Sequence, residues 1–405
     1  MQLPEQIRVM FRPQAAWYGL LAAIILTWIG MEAIATVDAS RAAAQMRWLP
    51  IAIVFMLMCM IPHPRVIGMV SYPLMAVSLL LLVITIVPGM PRSIVPVRNG
   101  ATCWINLHFM MFQPAEMAKV VFVLALAWYL RYRDTYRTLR GLLVPFGMML
   151  APVGLLLKQP DLGLALLYPP TLFAMLVAAG AKLRHLGTLI GLGVLAIALN
   201  VSLIYVLPPD QPHPFLKSHQ VARIKSMISL VKGEDRYIQD LAYQQHKAMT
   251  LIGAGQLTGY GEERAATVIR FNRLPETYND MIFAVIVNRW GMIGGVVTLG
   301  LYLVVVLSFV LVAAKSKDPF ARLACVGFAG LTFSQATINI GMTLGLLPIT
   351  GINLPFVSYG GSSLISTFAM MGLVINFGSR RPGYLTRPSF EFDTVKQGEK
   401  LLIKQ

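Results

Sequence analysis

The 405-residue sequence predicts an all-α polytopic membrane protein with about ten transmembrane helices. Three observations carry that prediction. Hydrophobic residues make up 56% of the chain and charged residues only 13%, roughly half the charged share of a soluble domain. Apolar stretches of about 18 to 25 residues recur, the length that crosses a hydrocarbon core. Lys and Arg fall unequally on the loops between them, as they do in chains threaded through a bilayer. A soluble multidomain protein would expose these stretches to water.

The spans follow in order. The first, 16–36, lacks the charged start, short apolar core and small-residue cleavage site of a secretory signal, so it reads as an anchor. Spans 47–62 and 67–88 come next, then 117–131, which is short and gains length if it begins near Pro114. Spans 141–157, 162–180 and 184–207 lead to a large non-membrane segment, 208–279. The stretch 280–314 is long enough that a single helix there must tilt or extend past the bilayer. Spans 319–344 and 355–379 close the membrane part, and 380–405 reads as a basic tail. The whole, 1–405, is one integral membrane domain with no internal repeat.

Orientation follows from the short loops. With the N-terminus in the cytoplasm, the inside carries Arg8, Arg12, Arg65, the "RYRDTYRTLR" loop, Lys182, Arg184, Lys315, Lys317, Arg322 and the basic tail. The short outer segments are much poorer in Lys and Arg, so both termini are expected inside. The net charge of +16 then has two sources. Its inner share reflects topology and anionic lipid. Its outer share, concentrated in 217–273, suits an anionic lipid-linked substrate, because nucleic acid is not expected on that side. Cys59 and Cys325 fall in spans and Cys103 outside them, which implies no disulfide framework, and no Cys/His spacing suggests zinc.

The 208–279 segment opens with "PPDQPHP", a turn-rich exit from the bilayer. Leu216, Val221, Ile224, Ile228 and Val231 then recur at near-helical spacing among Lys217, Arg223, Lys225 and Lys232. That pattern fits a basic amphipathic helix in the outer interface, or an ordinary surface helix with a solvated charged face. Gly253, Gly255, Gly259 and Gly261 in "YQQHKAMTLIGAGQLTGYG" suit a phosphate-cradling loop, and equally any compact re-entrant loop.

Three carboxylates stand at outer span mouths. Glu116 and Lys119, three apart in "QPAEMAK", can share a helix face as a local ion pair or as active-site groups. Asp161 in "KQPDLG" opens a span, as an N-terminal helix acid does. Asp280 in "LPETYNDMIFAVIV" marks the change from polar to apolar chain and is either a helix cap or a chemical group. Near the C-terminus, the backbone N–H groups around Gly360, Gly361, Ser362 and Ser363 could receive an anion, or their small side chains could let helices approach closely.

"NIGMTLGLLPITGINLPFVSYGGSS" resembles the signature of the SEDS proteins (shape, elongation, division and sporulation), which include RodA, FtsW and SpoVE. "NGATCWINLHFMMFQPAEMAK", "QPDLGLALL", "YQQHKAMTLIGAGQLTGYG" and "LPETYNDMIFAVIVNRWG" match in the family's order, covering most of 98–379. The resemblance implies the ten-span SEDS fold and a peptidoglycan glycosyltransferase of the bacterial cytoplasmic membrane. Such an enzyme polymerises lipid II, the undecaprenyl-linked precursor, on the outer face. It also implies a divalent cation, Mg²⁺ or Mn²⁺, and a class B penicillin-binding protein as transpeptidase partner.

The family's essential Asp falls on Asp280, as base or as metal ligand. Candidate substrate-binding positions are Glu116, Lys119, Asp161, Arg223, Gln245, Glu276, Ser358, Gly360, Ser362 and Ser363, with Arg223 and Lys119 foremost for the pyrophosphate. "TGINLP" reads closer to RodA, hence to elongation and cell shape, than to the division polymerase FtsW, which favours "KGLTLP". Three departures stand out: Cys103 where the family usually has Arg, Leu164 for a usual Thr, and Asn288–Arg289 for a common Glu–Glu. A lipid II flippase and an inactive scaffold for a transpeptidase are the rival readings. A flippase should place polar groups at mid-membrane, where Glu32 and Arg289 are nearly the only charged residues.

Overall fold

In a computed structural model, residues 14–97, 102–107, 110–206, 213–214, 221–222, 224–225, 243–272, 274 and 277–380 are described. The predicted amphipathic helix around 216–231 and the basic tail lie largely or wholly outside them. Helices α1 (Ala16–Val37), α2 (Ala39–Met60) and α3 (Pro64–Ile84) open the chain. A two-stranded antiparallel ribbon, β1 (Ile105–Asn106) and β2 (Met111–Phe112), precedes α4 (Pro114–Leu130). Then come α5 (Leu143–Lys158), α6 (Leu162–Ala165), α7 (Tyr168–Ala179) and α8 (Leu183–Val206). The long outer segment contributes α9 (Tyr243–Gly255) and α10 (Gly261–Asn272), followed by α11 (Ile282–Lys315), α12 (Pro319–Thr343) and α13 (Gly361–Ser379).

Nine segments among the described residues are helical, long and apolar enough to cross a bilayer, with α6 and α7 making up one of them. The chain is therefore a polytopic membrane protein. The 17-residue α4 is short but still near spanning length. Polar residues set the helix starts. Asp38 caps α2 by accepting from the N–H groups of Ser40 and Arg41, and Asp318 caps α12 by accepting from Phe320. Pro64, Pro114 and Pro319 occupy first-turn positions, where a missing N–H costs nothing.

The interior is built around α12 and α13, whose residues are mostly buried. α13 runs along α2; α11 packs between α1 and α12; α4 packs against α3 and α12. At Gly372, an added Cβ would meet the Met56 carbonyl oxygen at 2.2 Å, so the α13–α2 approach needs hydrogen there. α8 keeps Leu192, Leu195 and Leu199 exposed, as a lipid-facing helix would.

Three boundaries depart from hydropathy. α2 begins at Ala39 rather than near 47, because the Asp38 cap extends the helix beyond the apolar run. α13 begins only at Gly361, and residues 350–360 are irregular backbone around Pro355. The stretch from 280 is not one tilted helix: α11 breaks at Gly291, whose φ of 70° is left-handed. Every residue from Ile282 to Arg289 is buried, and Met292–Lys315 is long enough to cross the bilayer alone, at roughly 36 Å.

Candidate functional site

Asp280 stands in the turn that precedes α11, whose cap residue is Met281. Three consecutive carbonyls of that turn are held from outside it. The Tyr359 N–H donates to the Tyr278 carbonyl at 3.0 Å, and the Ser358 hydroxyl donates to that of Asn279 at 2.6 Å. The Asn339 amide donates to the carbonyl of Asp280 at 2.9 Å. Asp280 itself is half-buried, and its Oδ2 lies 3.5 Å from where a Cβ on Gly351 would sit. The carboxylate is thus presented on a fixed backbone beside the 350–354 segment.

That segment is held by α12. One helical turn apart, Gln335 donates to the Asn353 carbonyl at 2.9 Å and Asn339 donates to that of Ile352 at 2.6 Å. Behind Gln335 lies Lys119. Its ammonium meets Glu116 Oε2 at 2.6 Å and donates to Gln335 Oε1 at 2.9 Å, while Ser366 donates to Glu116 at 3.1 Å. The Lys119 and Glu116 side chains are 1% and 2% exposed. This corrects the assignment of Lys119 as a pyrophosphate contact. Helix α12 closes over the ammonium, which acts through Gln335 on the backbone beside Asp280.

The N-terminus of α6 approaches the 350 segment from another side: a Cβ on Gly163 would meet the Thr350 carbonyl oxygen at 2.5 Å. Asp161, just outside that span, accepts from the Leu164 N–H at 3.0 Å and so is the predicted helix cap. Burial pushes its carboxyl up to about 6, against the lowering effect of the Leu164 N–H. Gln113 lies between Asp161 and the ribbon, with its own N–H on Ser362 Oγ at 3.1 Å. Cys103 is buried on the Gln159 carbonyl, and burial pushes its thiol up to about 12. A neutral thiol therefore stands where an Arg is usual in the family.

The remaining predicted residues separate clearly. Ser358 accepts from the Leu354 N–H besides holding Asn279, and the Gly360 N–H donates to Gln45 Oε1 at 3.1 Å. Ser362 bridges Gln113 and Met111, and the Ser363 carbonyl accepts from Ser366 and Thr367. These groups shape the site rather than forming an open anion receptor. Gln245 ties the end of α12, donating to the carbonyls of Met342 and Leu347. Gly255 and Gly259 pack on α11: an added Cβ would meet the Val287 oxygen at 2.2 Å and the Arg289 oxygen at 2.3 Å. That geometry is the compact loop, not a phosphate cradle. Arg223 and Glu276 lie outside the described residues.

Two residues escaped sequence reasoning. On α2, Arg41 lies 3.6 Å over the Tyr278 ring and 5.9 Å from that of Tyr359, and pairs with Asp38 at 3.0 Å. One turn later, Gln45 donates to the Ser358 carbonyl as well as accepting from Gly360. Their four-residue spacing just after a helix cap was the available signal. Arg41 is a partly exposed cation seated over Tyr278, which lies two residues before Asp280 in the same turn. Among the described residues, no three His, Cys, Asp or Glu cluster as a metal cage. One carboxylate still fits Mg²⁺, which keeps waters and takes further ligands from substrate phosphates.

A family model described as cell cycle protein, FtsW/RodA/SpoVE, matches residues 7–381. A Trichlorobacter lovleyi protein called "Probable peptidoglycan glycosyltransferase FtsW" is 31% identical over 314 residues, 76% of either chain. A solved chain from a peptidoglycan synthase complex that coordinates polymerization and crosslinking is 30% identical. It superposes with a TM-score of 0.75 over 91% of this chain and 98% of its own. The rod shape determining protein RodA of Thermus thermophilus is 28% identical with a TM-score of 0.63, over 89% of this chain and 96% of its own.

Proposed function

The chain belongs to the FtsW, RodA and SpoVE family, and we propose that it polymerises lipid II into glycan strands at the outer face of the cytoplasmic membrane. The observation that carries this reading is the fixed turn presenting Asp280 at the start of the buried half of α11. The acceptor 4-hydroxyl attacks the donor's anomeric carbon, the bond to the lipid pyrophosphate breaks, and the proton passes to the Asp280 carboxylate. Arg41 supplies a cation for the departing pyrophosphate, with Arg223 of the outer segment as a second. Asp280 is also the residue that would hold Mg²⁺ or Mn²⁺, whose charge would neutralise the same pyrophosphate. On the ten-span topology with cytoplasmic termini expected from hydropathy and loop charge, Asp280 lies on the outer side, where the lipid-linked donor is met.

A class B penicillin-binding protein is the proposed partner, supported by the solved relative's place in a synthase complex for polymerization and crosslinking. The "TGINLP" motif assigns the chain to elongation and cell shape. The division reading is favoured by relatives that carry the FtsW name. Depletion separates the two, giving rounded cells in the first case and filaments in the second. The flippase reading loses support because Glu32 and Arg289 pair with each other, and Glu116 pairs with Lys119.

Purified protein with its transpeptidase partner and labelled lipid II is the test. Glycan strands should lengthen in the presence of penicillin, and Asp280→Asn should abolish this growth. Lipid II crossing vesicles without strand growth would install the flippase instead, and neither activity would leave the scaffold.

A further inference from the structure

We propose that Arg289 is a positioning residue for the polymerase proposed above, locking the far end of the helical segment whose near end sets Asp280. The inference rests on that functional reading. Ile282–Arg289 is a buried rod of about 12 Å, and the turn holding Asp280 precedes it. A break at Gly291 would leave the rod's other end free to swing. Loop 256–260 replaces the lost helix hydrogen bonds there. Met292 N–H donates to the Gln256 carbonyl at 2.8 Å, Ile293 N–H to that of Leu257 at 3.2 Å, and Tyr260 N–H to that of Asn288 at 3.0 Å.

Arg289 joins this elbow to two further helices. Its Nη1 donates to the Glu32 carbonyl and the Thr36 hydroxyl, both at 2.7 Å, and its Nη2 meets Glu32 Oε2 at 2.9 Å and Glu262 Oε2 at 3.1 Å. Glu32 and Thr36 belong to α1, and Glu262 to the first turn of α10. Asn288 adds a bond to the Leu251 carbonyl of α9 at 2.9 Å. A planar fork reaching four acceptors at once fixes direction as well as distance, which a lysine ammonium cannot reproduce. The Arg289 side chain is 9% exposed, against 66% for Glu262, so Glu32 is the main charged anchor.

The test measures kcat and KM for lipid II in the full chain with its partner, alongside melting of each variant. Arg289→Gln should lower kcat about a hundredfold, the scale of a small misplacement of a catalytic group, with KM unchanged because the four acceptors of its guanidinium are protein groups. Glu32→Gln should lower kcat less and Glu262→Gln least, while Arg289→Lys recovers only part of the Arg289→Gln loss. The doubly substituted Glu32→Gln/Arg289→Gln chain should be no slower than Arg289→Gln alone. An unchanged kcat in Arg289→Gln, a raised KM instead, or full rescue by Lys would overturn the proposal. If Arg289→Gln fails to fold, the order of Glu32→Gln and Glu262→Gln decides, and equal kcat to wild type in both overturns it. Wild-type chain that makes no strands would refute the polymerase reading itself, a separate outcome.

Discussion

Replacing Lys119 by Met tests whether the buried pair is a scaffold or a substrate contact. The change keeps the apolar stem but leaves Glu116 with only the Ser366 hydroxyl among its described donors, and leaves Gln335 Oε1 without its ammonium. Removing one partner of a buried pair costs about 3–5 kcal/mol, because the other charge is stranded in apolar surroundings. Substituting both, as Glu116→Leu/Lys119→Met, removes the stranded group and should recover most of that loss. Unfolding in detergent, followed for wild type, the single variant and the double, reads this difference directly. Strand synthesis by the double variant should show a lowered kcat with unchanged KM, since Gln335 no longer has Lys119 to orient it against the Asn353 carbonyl. A Lys119→Met chain as stable as wild type but with raised KM would refute the reasoning and return Lys119 to the pyrophosphate. A double variant as unstable as the single would do so as well.

Asp280→Asn should leave folding intact and lower polymerisation by ~10²–10⁴-fold if the carboxylate is the base; partial recovery at high Mg²⁺ or Mn²⁺ would instead mark it as a metal ligand. Gly291→Ala should lose at least about 1–2 kcal/mol from the left-handed backbone, with further loss from a Cβ placed 2.2 Å from the Leu257 oxygen; an unchanged melting temperature would contradict the break in α11. Arg41→Ala should raise KM for lipid II by about ten- to a hundredfold, the loss of one charge-assisted hydrogen bond worth roughly 1.5–3 kcal/mol, and normal kinetics would remove Arg41 from the site. Asp161 holds its proton more tightly folded than unfolded, with a folded value of about 6 against an ordinary 3.8. Its burial therefore opposes folding above about pH 6, and this penalty fades as pH falls toward 4. Asp161→Asn, which can still cap Leu164, should flatten that part of the stability–pH curve, and an unaltered curve would show that Asp161 does not titrate there.

Hydropathy located the helices because membrane insertion is decided segment by segment. About 20 apolar residues satisfy the bilayer wherever they occur in a chain. Asp280 stood out because it sits in a contiguous motif at a polar-to-apolar edge, although the residues alone left a cap and a chemical role both open. The reading failed where partners come from distant segments. Nothing within "QPAEMAK" shows that Gln335 will cover Lys119, and nothing near Arg41 shows that Tyr278 will lie beneath it. The Gly291 break was hidden for a related reason. A hydropathy window averages through a single glycine, and the break is stable only because loop 256–260 supplies the hydrogen bonds that the interrupted helix lacks. Local chemistry thus determined the class of the protein and its spans, and the family motif drew attention to Asp280. The setting of that acid was left to the tertiary structure, because burial, ion pairing and backbone satisfaction depend on segments that meet only after folding.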